Sequence, residues 1–146
     1  MRVIIQRSLK SLVEVNNKIV GKINKGMVIL VGFTEGDDEL IIDKMVKKII
    51  NLRIFDDEAG VMNKSLLDIE GEILSISQFT LYANTKKGNR PSYIEALNGR
   101  DAIKLYEIFN EKLREFIHVE TGIFGAEMHV KITNDGPVTI SLEIDN

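Results

Sequence analysis

The chain has 146 residues, 44% of them hydrophobic, a formal net charge of −3 and no cysteine. That length fits one domain, residues 1–146, in which folding buries roughly 68–70% of the unfolded surface without a covalent staple. The missing cysteines exclude disulfides, thiolate nucleophiles and cysteine metal sites, and the acidic balance argues against a broad grip on a phosphate backbone.

The opening "MRVIIQRSLK" lacks the apolar core of about 7–15 residues that a signal peptide needs. No apolar run approaches the roughly 20 residues of a membrane span. A soluble, cytoplasmic protein that uses neither membrane nor DNA is expected. The first third reads as strands: "RVIIQR" (2–7), "SLVEV" (11–15) and "KIVGKI" (18–23), with Asn16-Asn17 as a tight hairpin turn. "GMVILVGF" (26–33) is apolar almost throughout, as in a central strand covered on both faces. In the segment that follows, Ile41, Ile42, Met45, Val46, Ile49 and Ile50 recur at helical spacing behind Asp37, Asp38 and Glu39, acids that the start of a helix favours.

"EILSISQFTLY" (72–82) reads as one strand, with Ser77, Phe79 and Leu81 on one face and Gln78, Thr80 and Tyr82 on the other. A second helix is expected over 99–117, its buried stripe being Ala102, Tyr106, Phe109, Leu113 and Phe116. "AEMHVKIT" (126–133) reads as a strand that pairs through Asn134-Asp135 with a last strand, in which Val138, Ile140, Leu142 and Ile144 alternate with polar residues. The sum is an α+β fold, a largely antiparallel sheet or barrel with two packed helices.

Several conspicuous residues have ordinary explanations. His118 and His129 form no metal-binding pair, and His129 shares a polar strand face with Glu127 and Lys131. The acidic groups at 37–39 and 56–58 fit a helix start and a turn and lack calcium-loop spacing. "GIFGAEM" (122–128) reads as a turn feeding a strand. The stretch 75–93 is different, because it sets serine, glutamine and threonine among core residues. Each unpaired polar group there would cost roughly 1–3 kcal/mol. They either bond one another or the backbone, or they floor a pocket. Lys86, Lys87 and Arg90 follow in a loop, either as solvated surface or as a receiver of a few phosphates.

"SQFTLY" (77–82) and "NDGPVT" (134–139) together resemble the two signature motifs of the D-aminoacyl-tRNA deacylases. "MRVIIQR", "GMVILVGF", "KIINLRIFDDEAGVMNKSLLD", "KKGNRPSY" and "VETGIFGAEM" resemble that family in the same order, so the similarity spans nearly the whole chain. One departure is Val61, where the family pattern has lysine. The resemblance implies a homodimer of deacylase-like fold that hydrolyses the ester joining a D-amino acid to the 3′ end of tRNA, and no residue pattern in the chain calls for a metal or cofactor. It also implies that the Gly136-Pro137 bond is cis. From one chain, Gly136 and Pro137 would face Ser77, Gln78, Phe79 and Thr80 of the other, turning away L-residues by clash.

A wedge that tests the arrangement about Cα cannot exclude a residue without Cβ, so glycyl-tRNA is an expected second substrate. Backbone N–H groups around Phe79 and Thr80 are the expected oxyanion donors. Thr80 is left with two roles, nucleophile or orienter of water assisted by a ribose hydroxyl. Two other readings remain: a non-catalytic RNA-binding module that stacks bases on Phe79 or Tyr82, and a structural dimer shaped by Gly136-Pro137.

Overall fold

The computed structural model describes residues 1–146. The strands are β1 (Arg2–Ser8), β2 (Ser11–Val15), β3 (Lys18–Ile23), β4 (Gly26–Gly32), β5 (Phe55–Asp56), β6 (Met62–Lys64), β7 (Glu72–Ser77), β8 (His118–Thr121), β9 (His129–Lys131) and β10 (Asn134–Glu143). The helices are α1 (Glu39–Asn51) and α2 (Gly99–Arg114). Asn16 and Asn17 turn between β2 and β3 with φ of 51° and 61°. Two successive left-handed residues match the twist of a tight hairpin, and asparagine is among the few side chains that tolerate them.

A five-stranded sheet runs β10-β1-β4-β7-β8, and a three-stranded sheet runs β3-β2-β9. β1 is antiparallel to β4 and β10, whereas β4, β7 and β8 run parallel. Each parallel step therefore needs a crossover, and the two helices supply one apiece. Met27, Ile29 and Val31 of β4 join the core that contains both helices, while Val28 joins Val13, Ile23, Leu74 and Ile76 in a second core. The layers are thus helices, large sheet and small sheet, which is why β4 is apolar on both faces.

α1 starts where the acids predict. Asp38 caps it by accepting from the Ile41 amide at 3.0 Å, and the six apolar residues of the predicted stripe are all buried. Burial of side chains of this size contributes about 1.5–3 kcal/mol each. α2 buries Ala102, Tyr106, Phe109 and Leu113 but ends at Arg114 rather than at residue 117. The Phe116 and Ile117 amides both bond the Leu113 carbonyl as the chain turns toward β8, leaving Phe116 51% exposed instead of in the stripe.

The last third differs from the expected hairpin. β9 is three residues long and pairs with β2, matching Leu12 to Lys131 and Glu14 to His129. β10 pairs with β1 in the other sheet. Asn134 is therefore where the chain changes sheets, and bonds from Leu9 N to Thr133 O and from Thr133 N to Ser11 Oγ guide it across. No helix is long and apolar enough to cross a membrane.

Candidate active site

The segment expected to be a single strand over 72–82 breaks at Ser77. Gln78 has φ −147° and ψ 82°, and Phe79–Tyr82 form a 3₁₀ turn. Strict alternation of faces therefore stops where the polar residues begin. The neighbouring strand makes room for the break: a Cβ on Gly32 would stand 2.9 Å from the Gln78 carbonyl oxygen and 3.2 Å from Leu81 Cβ. Only glycine lets the turn sit this close to β4. The Gln78 amide still completes the ladder to the Val31 carbonyl at 2.7 Å. The Leu81 and Ala83 amides close on the carbonyls of Gln78 and Thr80, whereas those of Phe79 and Thr80 donate to no protein group. Unpaired N–H groups are expected at the start of such a turn.

A cavity of about 630 Å³ opens beyond the carboxyl ends of the parallel strands β4 and β7. Open parallel sheets hold ligands at that end. Ser77, Gln78 and Phe79 line one side, Leu97 and Ala102 at the start of α2 another, and Phe124 and Met128 a third. Phe79 meets Tyr93 edge to face, 5.1 Å between ring centres at 71°. The Tyr106 hydroxyl donates to the Ser75 carbonyl at 2.8 Å, tying α2 to β7 beneath the cavity. Thr80 does not line the cavity, and its hydroxyl oxygen accepts from the Gln78 side-chain amide. Tyr93 carries the only titratable side chain in the lining.

Gly136 and Pro137 lie elsewhere. Residues 135–138 of β10 face the single residue Arg7, between the pairs Ser8–Asn134 and Gln6–Thr139, so they bulge from the ladder. The Gly136-Pro137 peptide bond is cis. Asn134 closes the bulge by accepting from the Val138 amide at 2.8 Å and donating to Thr139 Oγ1 at 2.9 Å. Arg7 braces it, donating to the Asp135 and Ile54 carbonyls at 2.9 Å each. Ser77 is level with Leu142 through Val31 and Val3, five residues from Pro137. Strand geometry then separates Pro137 from Ser77 by about 17 Å along the sheet and about 14 Å across it. One chain brings together Ser77, Gln78 and Phe79, but it does not bring Gly136 and Pro137 to them.

Lys86, Lys87 and Arg90 are exposed in the loop that paired bonds between Asn84 and Ser92 close, outside the cavity lining. His118 lies 3.3 Å from Glu120 and 3.8 Å from Glu72, at the far end of β7, and His129 is exposed. Asp57 turns the chain before Gly60. Its carboxylate accepts from the Val61 amide first and the Ala59 amide second, which holds its pKa below the usual range. No three His, Asp or Glu side chains are grouped closely enough to hold a metal ion. Sequence reasoning missed Tyr93, Leu97, Ala102, Phe124 and Met128 as lining. The available signal was "GIFGAEM", where Gly125 has φ 76° and turns Phe124 and Met128 toward one cavity.

A model of the D-Tyr-tRNA(Tyr) deacylase family matches residues 4–143. The chain is 56% identical over 144 residues to a D-aminoacyl-tRNA deacylase of Aquifex aeolicus and 54% identical over 144 residues to one of Clostridium tetani. Each match covers 98% of this chain and 97% of the relative. Among solved structures, the c-Myc DNA Unwinding Element Binding Protein matches with a TM-score of 0.95 at 39% identity, covering 100% of both chains.

Proposed function

Since the chain belongs to the D-aminoacyl-tRNA deacylase family and is a hydrolase of that kind, we propose that its one domain frees D-amino acids from the 3′ end of tRNA as a cytoplasmic homodimer. The observation that carries the reading is the cavity at the ends of β4 and β7, lined by Phe79, whose amide, like that of Thr80 next in the chain, has no protein partner. In the proposed reaction water attacks the ester carbonyl, and these two N–H groups receive the developing oxyanion. The ribose oxygen then leaves with a proton from solvent or its neighbouring hydroxyl. Ser77 and Gln78 shape the floor on which the ester lies. Lys86, Lys87 and Arg90 meet phosphates near the tRNA 3′ end.

Separation is what supports the dimer. Gly136 and Pro137 are exposed in one chain, as are Phe79, Tyr93 and Ile94 near the cavity, at 57%, 40% and 88%. A second copy that brings its Gly136-Pro137 bulge to this mouth would cover both. The wedge would then meet the Cα substituent of the bound amino acid, rejecting L-residues and passing D-residues of many sizes. Glycine has no Cβ to test, so glycyl-tRNA is also cleaved in this reading. Labelled D-Tyr-tRNA and L-Tyr-tRNA, assayed side by side, test the activity and the filter. Release of D with L intact is expected, and release of neither would remove the proposal. Glycyl-tRNA left whole at an enzyme level that clears D-Tyr-tRNA would remove the purely steric filter.

Thr80 is assigned no nucleophilic role. A threonine needs an adjacent base to become a nucleophile, and its one side-chain partner is a carboxamide, which is not basic whichever way it is turned. Thr80→Ala is expected to keep kcat within about fivefold of the parent, against the losses of several orders of magnitude that follow removal of a true nucleophile. Single-turnover release of D-tyrosine measures it. The lining also holds no histidine or carboxylate. The kcat profile between about pH 6 and 8.5 should therefore rise without the inflection that a histidine or raised carboxylate base would impose. A break near neutrality would point to a base outside the cavity.

A further inference from the structure

Arg2 touches neither the cavity nor the bulge, yet it makes more directed contacts with the 3₁₀ turn than any other side chain outside it. Its Nη1 donates to the Leu81 carbonyl at 3.0 Å, its Nε donates to Glu143 at 3.0 Å, and its guanidinium carbon lies 4.4 Å from the Tyr82 ring centre. The Leu81 carbonyl accepts from no backbone amide. Arg2 also stands opposite Gly32, the residue on which the turn rests. The turn is thus gripped from below by the close approach at Gly32 and from its trailing end by a planar fork that two partners hold in place.

Stability alone gives a poor account of that arrangement. The Arg2 and Glu143 side chains are 37% and 45% exposed, and ion pairs in such settings contribute about 0–1 kcal/mol. Four residues of 3₁₀ helix have weak internal bonding, and the two free amides lie in its first half. Shifts of the turn would move both donors together. Resting on the deacylase reading above, we infer that Arg2 is a positioning residue: by holding Leu81 and Tyr82 it fixes where the Phe79 and Thr80 amides sit relative to the substrate carbonyl.

Arg2→Ala should lower kcat about tenfold to a hundredfold, the scale of a roughly 1 Å misplacement of reacting groups, with KM for D-Tyr-tRNA within about twofold and Tm nearly unchanged. Arg2→Lys keeps the charge and stays beside the ring but lacks the fork that reaches Leu81 and Glu143 together. Its kcat should recover only in part. Glu143→Gln leaves the Leu81 and Tyr82 contacts and should stay within about threefold of the parent. Amide exchange across residues 78–84 gives a readout that needs no activity. It should quicken in Arg2→Ala while exchange in β4 and α1 stays slow. Unchanged exchange with unchanged kcat would overturn the role, as would a Tm loss that tracks the kcat loss through all three variants. If the parent enzyme releases nothing from D-Tyr-tRNA, the deacylase reading fails, and exchange still reports whether Arg2 holds the turn.

Discussion

Phe79→Pro is expected to lower kcat about 10²–10³-fold relative to Phe79→Ala, the usual loss of one oxyanion donor. The pair differs in the backbone N–H and in the small ring that replaces it. Both substitutions remove the ring and its contact with Tyr93, but only proline also removes the backbone N–H. The site suits proline in other respects. Phe79 opens the 3₁₀ turn, where that amide has no protein partner to lose, and Gln78 at φ −147° and ψ 82° is already outside the helical region that proline disfavours before it. Folding should therefore survive, and the circular dichroism of the two variants should coincide. Equal kcat for Phe79→Pro and Phe79→Ala in single-turnover release would remove the Phe79 amide from the reaction.

Gly136→Ala acts from the opposite end of the sheet. Gly136 has φ +137°, a conformation L side chains rarely adopt, and an added Cβ would stand 2.8 Å from Val138 Cγ2 and 3.2 Å from Arg7 Nη2. The bulge must shift, and Arg7 cannot yield freely because Ile54 and Asp135 hold it. D-tyrosine release should fall about 100-fold, and the ratio of D to L rates should shrink by roughly tenfold or more, because the proposed wedge, once displaced, would neither seat the D-ester nor exclude the L-ester. Rates for both esters, measured at matched protein concentration, decide it. A variant that is slower on D with its D:L ratio intact would show that Gly136 serves the fold and not the filter.

The sequence carries some of this plainly. Asn16-Asn17 marks a hairpin because few other pairs accept two left-handed residues, and the stripe of α1 is legible because its six apolar residues repeat with the helix period. "SISQFTLY" misleads because nothing in it punctuates the strand: neither glycine nor proline stands at Gln78. The turn fits only because Gly32, more than forty residues away, leaves it room, and Arg2 holds its trailing end; neither is visible in local pattern. The end of α2 is hidden similarly, since Phe116 keeps the helical spacing while the backbone turns off at Leu113. β9 and β10 both alternate, which identifies strands but not partners, so a change of sheet at Asn134 looks like a hairpin. The cavity lining is the least legible part, because leucine, alanine and methionine read as core until the fold leaves a space between them.

The distance between the Gly136-Pro137 bulge and the cavity within one chain has a genetic meaning in the proposed dimer. Each working centre is a joint product of two polypeptides, so two different defective alleles need not be jointly defective. A mixed dimer of Phe79→Pro and Gly136→Ala chains holds one centre with both lesions and one with neither. Co-expressing the two impaired chains should restore turnover well above that of either alone, and dilution below the dissociation constant should abolish the gain.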